Sequence, residues 1–366
     1  MERASPLTFE SIVGQERARN IAEAWLRSNR IPHAILLCGT AGTGKRRFAL
    51  ELAKALLCQQ KSVLACNACH SCRKVSNNVH PDLHFRLPIS VKKGRHSINP
   101  EALRAAVQKY MDGNALGGQV NISKEEQLLS LQRDMSYAAS EGGRKVAILL
   151  DAERMHPAGA NSLLKILEEP SPDSIFILVS SFPERILPTV LSRCQRLAFN
   201  PLKADVVRDQ LQKMNIKGQA LELGVRLGAG SVERARQIAM GEWDDLRAQV
   251  ENFIEAGLAH RDEVFWHVVE ELSGDRAIQD RFLKLSAFYL RDFFLLNHEI
   301  KGRETMVDRS SYLGRLSGTL NGDHIERAMV ELDRAAEALS RNASFQLVMS
   351  DLWRSLRRAG HIAYDG

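Results

Sequence analysis

The chain has 366 residues, enough for two or three domains of ordinary size. Its apolar content of 44% is that of a globular protein, and a formal charge of +6 permits an anionic partner without requiring one. No apolar run approaches the roughly 20 residues of a membrane span, and the first ten residues lack the basic-then-apolar pattern of a secretion signal, so a cytoplasmic location with no membrane partner is expected.

Phe9-Glu10-Ser11-Ile12-Val13-Gly14-Gln15-Glu16 precedes a helical stretch through Ala18, Ile21, Ala22, Trp25 and Leu26. Ile31-Pro32-His33-Ala34 then leads into the apolar run Ile35-Leu36-Leu37-Cys38, suited to a buried strand. Gly39-Thr40-Ala41-Gly42-Thr43-Gly44-Lys45-Arg46 follows, and residues 48–57 have helical periodicity. A strand, a glycine-rich turn and a helix make the setting of a phosphate-binding loop, in which backbone N–H groups and a helix N-terminus face the phosphates. Gly39, Gly42, Gly44 and Lys45 are therefore candidate nucleotide-binding residues, with Lys45 reaching the outer phosphates. The pattern next requires Ser or Thr, whose hydroxyl binds the nucleotide's magnesium. Arg46 stands there instead, and a guanidinium has only donors and a fixed positive charge.

Four of the six cysteines follow, as Cys58-x7-Cys66-x2-Cys69-x2-Cys72. In a reducing compartment such a cluster points to a metal more than to disulfides. Four thiolates at this spacing suit tetrahedral zinc; an iron–sulfur cluster uses the same ligand type. Zinc is the expected cofactor, since its structural sites close with four cysteines, and it would tie down a loop that lacks a core of its own. His70 and His80 are possible substitutes for one cysteine.

Residues 81–122 read as an irregular insertion with one short helix at 101–110. Arg86, Lys92, Lys93, Arg95, Arg104 and Lys109 make it basic, which fits a solvated face better than a nucleic-acid site. Ser123-Lys124-Glu125-Glu126 resembles a capping box and opens a helix through Leu128, Leu131, Met135 and Ala138. Val146-Ala147-Ile148-Leu149-Leu150 has the continuous apolar character of a central parallel strand. A helix at 158–168 and a strand at 175–179 follow, so strands alternate with helices as in an α/β core with a parallel sheet. Asp151, at the end of the apolar strand, stands where a P-loop protein has its magnesium-side aspartate, or is simply a strand-end residue. Ser192-Arg193-Cys194 offers an arginine that either pairs with a carboxylate in its own chain or reaches a neighbouring subunit's nucleotide as an arginine finger.

Beyond Asn200-Pro201 almost no strand pattern remains. Residues 205–214, 220–227 and 232–240 read as short helices punctuated by Gly228, Gly230 and Gly241. Two longer apolar stripes follow, one through Ile325, Ala328, Met329, Leu332, Ala335, Ala336 and Leu339. The other runs through Phe345, Val348, Met349, Leu352, Trp353 and Leu356. They suit a helical bundle core or an oligomerisation surface, and periodicity does not separate the two.

Taken together, Val13-Gly14-Gln15-Glu16, Ile31-Pro32-His33-Ala34, the loop at 39–46 and the four cysteines resemble the bacterial clamp-loader subunits of DNA polymerase III, in the AAA+ superfamily. The most specific stretches are Asn161-Ser162-Leu163-Leu164-Lys165-Ile166-Leu167-Glu168-Glu169-Pro170 and Leu191-Ser192-Arg193-Cys194. The likeness covers about residues 9–200; the remainder fits only by being helical. It implies an AAA+ α/β P-loop core with a four-cysteine zinc module (1–200, module at 58–72, basic insertion at about 86–122), a small helical lid (201–243) and an all-α collar (244–366).

That family has two kinds of cysteine-bearing subunit. The gamma and tau motors hydrolyse ATP; the delta-prime kind keeps the fold and zinc module but has a decayed ATP site. Here Arg46 replaces the magnesium-binding Ser/Thr, Ala152 replaces the catalytic Glu and Ser180 replaces a sensor threonine. Gly230-Ser231-Val232-Glu233 puts Glu233 where motors carry a second sensor arginine, with Arg234 adjacent but out of register. Glu153 is one position beyond the catalytic place, so its side chain is expected to point elsewhere. These departures favour the non-hydrolysing delta-prime kind. The resemblance then implies a hetero-pentameric ring with gamma/tau and delta subunits that loads the sliding clamp on primed DNA, with Arg193 acting in trans on a neighbour's ATP. Lys45 and the glycines still suit ADP or a phosphate without magnesium. An ATP-hydrolysing gamma/tau-like motor and a zinc-bearing DNA-binding protein with a vestigial P-loop are the rival readings; Lys165 suits a phosphate contact inside a ring, or a solvated face.

Overall fold

The computed structural model describes residues 12–60, 63–87, 100–111, 125–141, 143–155, 157–274, 276–300, 302–318, 322–340 and 343–359. Phe9-Glu10-Ser11, Ser123-Lys124 and most of the basic stretch (88–99 and 112–122) lie outside them. The chain divides into two compact units, Met1–Val206 and Val207–Gly366.

The first unit runs α1 (Glu16–Ser28), β1 (Ala34–Gly39), α2 (Lys45–Leu57), α3 (His70–Ser76), β2 (Leu83–Arg86), α4 (Pro100–Met111) and α5 (Glu125–Ser136). It continues with β3 (Lys145–Leu149), α6 (Pro157–Glu168), β4 (Ser174–Ser180), α7 (Pro188–Leu191) and β5 (Gln195–Phe199), and α8 (Ala204–Lys213) crosses into the second unit. The five strands form one parallel sheet in the order β2-β3-β4-β1-β5. Alternation along each strand sends side chains to two apolar layers. Ile35, Leu37, Val146, Ile148, Ile175 and Ile177 join one core with α1, α2 and α4. Ala34, Leu36, Ala147, Leu149, Phe176 and Leu178 join the other, with α5 and α6. Burial on both faces is why the central strands read as continuous apolar runs.

Two strands were not legible in the sequence. Leu83–Arg86, read above as part of an insertion, is the edge strand β2, paired with β3 in register Leu83 to Val146. Arg86 is accordingly no part of a basic surface: it is buried, and its guanidinium donates to Phe85 O at 2.8 Å and to Asp134 Oδ2 at 2.9 Å. The other is β5, whose Gln195 and Arg196 are exposed, so that only Leu197 and Phe199 carry an apolar signal.

In the second unit α9 (Gly218–Gly228) and α10 (Val232–Ala239) follow α8, then α11 (Asp244–Leu258), α12 (Asp262–Glu271), α13 (Arg276–Asn297), α14 (Ser310–Ser317), α15 (Gly322–Ser340) and α16 (Phe345–Ala359). Gly228 does more than punctuate: a Cβ there would lie 2.6 Å from the Cβ of Ala235, so its bareness lets α9 and α10 touch. Both predicted apolar stripes, on α15 and α16, contribute to the core of this unit, together with Phe253, Phe265, Phe282 and Tyr289. The buried Arg247 is held by both oxygens of Asp308 at 2.7 and 2.8 Å. Asp292, also buried, accepts the backbone N–H groups of Thr305 and Met306, which fastens the segment after α13.

Candidate functional site

Strand β1 lies between β4 and β5, so the turn after it opens at a point where the strand order reverses, the usual place for a ligand in an open parallel sheet. The predicted loop occupies that turn. Gly39 has φ +139°, and a Cβ there would lie 2.0 Å from the carbonyl oxygen of Phe199 on β5, so only glycine fits. Gly44 (φ +93°) caps α2, whose first turn carries no acidic residue. Beneath the loop Phe48 stacks edge-on to Phe199, ring centres 5.1 Å apart. Gln15, from the Val-Gly-Gln-Glu stretch, is buried and donates to Asn200 O at 2.8 Å and Thr43 O at 3.4 Å, binding the loop to the end of β5.

Lys45 is buried, and its ammonium donates to Gly39 O at 2.5 Å and Thr40 O at 2.6 Å. Burial pulls its pKa down to about 8, with the nearby Glu153 carboxylate the foremost influence in the opposite direction. Arg46 donates to Tyr110 O at 3.0 Å, lies 3.7 Å above the Tyr110 ring and meets Asp151 Oδ1 at 3.4 Å. The Tyr110 hydroxyl donates to Asp151 Oδ2. Asp151 adopts a left-handed conformation (φ +47°) just after β3. Loop glycines, Lys45 and Asp151 thus come together as the sequence suggests, but around an arginine and a tyrosine.

Glu153 corrects the sequence expectation, since it does not point away. A short helical turn (Ala152–Arg154) keeps its carboxylate within electrostatic reach of Lys45, and its Oε1 accepts the Ser181 N–H at 3.1 Å. Burial first, and the Asp151 charge second, push its pKa up. Ser180 is fully buried and its Oγ accepts the Phe182 N–H at 3.1 Å. Tyr110 and Gln15 were not legible as site residues: neither has a chemical signature in sequence, and each is brought in by tertiary contacts. Glu233 and Arg234 lie on α10 in the second unit; Glu233 accepts from Arg236 at 3.0 Å and Gln237 at 3.3 Å.

Arg193 follows the short helix α7 and is about a third exposed (35%). Its guanidinium donates to Thr189 O at 2.9 Å and meets Glu168 Oε1, at the end of α6, at 2.6 Å. Both highly specific stretches, 161–170 and 191–194, therefore meet at one surface pair. Lys165 is exposed on the same helix.

The four cysteines gather at the end of α2 and the start of α3. Their sulfurs all lie within 4.8 Å of one another, with Cys58–Cys69 at 4.0 Å and Cys66–Cys72 at 3.9 Å. Thiolates around one tetrahedral ion with metal–sulfur bonds of about 2.3 Å sit roughly 3.8 Å apart, so this donor set fits such an ion. The N–H groups of Cys69 and Cys72 point at Cys66 Sγ (3.3 Å) and Cys69 Sγ (3.4 Å). Backbone N–H groups of Ala68 and Cys69 pull Cys66 down to about 6, whereas burial pushes Cys72 up. His70 and His80 are not needed: the four sulfurs form the group, and His80 instead accepts the Asp82 N–H at 3.1 Å. A buried link ties this loop to the phosphate-loop helix, as Lys54 Nζ bonds Glu51 Oε1 at 3.1 Å and Asn67 Oδ1 at 3.2 Å.

Among the described residues no helix is long and apolar enough to cross a membrane. A family profile described as "DNA polymerase III, delta subunit" matches residues 14–203, more than half of the 366. The chain is 28% identical over 257 residues to the delta-prime subunit of DNA polymerase III from Bacillus subtilis, covering 70% of this chain and 69% of that one. Against the delta-prime subunit of Pseudomonas aeruginosa it is 33% identical over 221 residues, 60% of this chain and 59% of that one. The tau subunit of Escherichia coli is 28% identical over 237 residues, 63% of this chain but 32% of that one. The matches thus span less than two thirds of the second relative and about a third of the third. The chain belongs to the DNA polymerase III delta-prime subunit family.

Proposed function

We propose that this chain is a non-hydrolysing subunit of a clamp loader, which with gamma/tau and delta subunits in a hetero-pentameric ring places a sliding clamp on primed DNA. Its own loop keeps the glycines and Lys45 but turns no nucleotide over, and Arg193 acts in trans on ATP held by an adjacent gamma or tau subunit. The first unit serves as the AAA+ core (1–200), residues 201–243 as a lid and 244–366 as the collar that joins the other subunits. The cysteines Cys58, Cys66, Cys69 and Cys72 hold a structural zinc, which would supply a fixed cross-link between α2 and α3 and no chemistry of its own.

One observation carries this reading: Arg46 is bonded to Asp151 beside the chain's own loop, while Arg193 stands at the surface, held by Glu168, the Thr189 carbonyl and a long contact to the Ser192 hydroxyl. An exposed pair of this kind contributes little to stability, about 0–1 kcal/mol, so Arg193 is readily redirected to a phosphate, where an arginine finger contributes on the order of 10³–10⁵ in rate. Arg193→Ala is expected to melt like the parent chain and to lower the ATPase of the reconstituted assembly at least a hundredfold at the adjoining site, a conservative share of that range. Unchanged ATPase would sink the proposal. The 28% identity with tau favours, as a second reading, an ATP-hydrolysing motor. Steady ATP turnover by the isolated chain would establish it.

A further inference from the structure

The magnesium ion that a P-loop nucleotide site normally holds does not fit the residues of this one. Both oxygens of Asp151, the carboxylate placed to face the metal, are engaged: Oδ1 by the Arg46 guanidinium at 3.4 Å and Oδ2 by the Tyr110 hydroxyl. Arg46 is fixed from three directions, by Asp151, by the Tyr110 carbonyl at 3.0 Å and by the Tyr110 ring at 3.7 Å. A guanidinium offers no lone pair to a metal, carries its charge at every physiological pH and repels a divalent ion placed beside it. The loss therefore goes further than a missing hydroxyl ligand. A positive side chain stands in the position of the cation and neutralises the same carboxylate.

The partner that holds it there comes from α4, which the sequence marks only as a short helix in a basic insertion. Tyr110 is buried in the same apolar core as the β1 strand, so its ring and hydroxyl are held by packing and do not depend on a ligand. We infer that Arg46, Tyr110 and Asp151 form a built-in replacement for the metal, which excludes magnesium-nucleotide from the loop while preserving the charge balance of the fold. The order of the parts follows from the contacts. Arg46 is the excluding group, because it supplies the charge. Tyr110 is a positioning residue, because it holds Arg46 and occupies the second oxygen of Asp151. This inference rests on the loop being a nucleotide site in form, and is independent of what Arg193 does.

The test uses the full chain and measures equilibrium binding of ATP by calorimetry, with magnesium and with EDTA, on four proteins: the parent, Arg46→Thr, Tyr110→Phe and the double variant. Tyr110→Phe keeps the buried ring and removes only the hydroxyl. The parent and Tyr110→Phe are expected to show no gain from magnesium, since Arg46 remains. Arg46→Thr is expected to bind ATP about tenfold or more tightly with magnesium than with EDTA, the scale of one charge-assisted contact regained. The double variant should gain further, because both Asp151 oxygens are then free. Magnesium-dependent binding by the parent, or none by either Arg46 variant with an unchanged melting curve, overturns the inference. If Arg46→Thr does not fold, the parent still decides it: manganese paramagnetic resonance with ATP present should show no protein-bound manganese, and a signal of bound manganese quenched by Asp151→Asn refutes it. None of these results bears on the ATPase of an assembly, so the proposal for Arg193 stands or falls separately.

Discussion

Lys54→Met is the sharpest test of how the phosphate-loop helix is held. Lys54 and Glu51 side chains are 1% and 2% exposed, one turn apart on α2, and Lys54 also bonds Asn67 in the loop between Cys66 and Cys69. Removing the ammonium leaves a carboxylate buried without its partner and an amide oxygen without its donor. Breaking a buried pair from one side costs about 3–5 kcal/mol; at roughly 2–4 °C per kcal/mol for a domain of this size, melting of the first unit should fall by about 10 °C. The double variant Glu51→Leu/Lys54→Met removes both charges, and buried pairs replaced whole by apolar groups are often neutral. It should therefore lie within about 1 kcal/mol of the parent. Burial already pushes the Glu51 carboxyl up, with the Lys54 charge the chief influence holding it down. Without Lys54 its folded pKa rises further above the unfolded value, so the penalty grows as pH rises from the ordinary 4.5 through the raised value and shrinks as pH falls back toward 4.5. Hydrogen exchange of α2 across a urea series reads the first unit alone. A single variant costing under about 1 kcal/mol, or a double variant as weak as the single, refutes the reasoning.

Two further outcomes follow from the same site. Chain purified from zinc-replete medium should carry about one zinc ion, Cys66→Ser should lose most of it, and chelation should lower melting of the first unit; elemental analysis with calorimetry checks this. Burial and the Asp151 charge raise the Glu153 pKa above 4.5, so its carboxylate costs stability as pH rises through the raised value. Glu153→Gln should accordingly melt higher than the parent at pH 8 and equally near pH 4, and equal melting at both contradicts the burial argument.

Local chemistry was legible wherever a residue's role depends on its sequence neighbours. Glycines spaced between an apolar run and a helical one specify a phosphate loop, because strand, turn and helix are each short-range preferences. Four cysteines at x7, x2 and x2 converge because those spacings leave thiolates within reach of one centre, and the sulfurs do converge. The helical boundaries of α6 and of α8, α9 and α10 agree with the periodicities to within two residues.

What only the tertiary structure decided concerns partners distant in sequence. Strand β2 is four residues long with a buried arginine and a histidine in it, so no periodicity marks it; its place at the edge comes from pairing with β3, about 60 residues on. Sequence shows that Arg46 is the wrong residue for magnesium, a statement about charge and donors. That it is clasped by Tyr110, 64 positions away, and bonded to Asp151, 105 positions away, depends on how the sheet brings two loops and a helix to one edge. Chemical type is written in the chain one residue at a time, whereas proximity belongs to the packed fold.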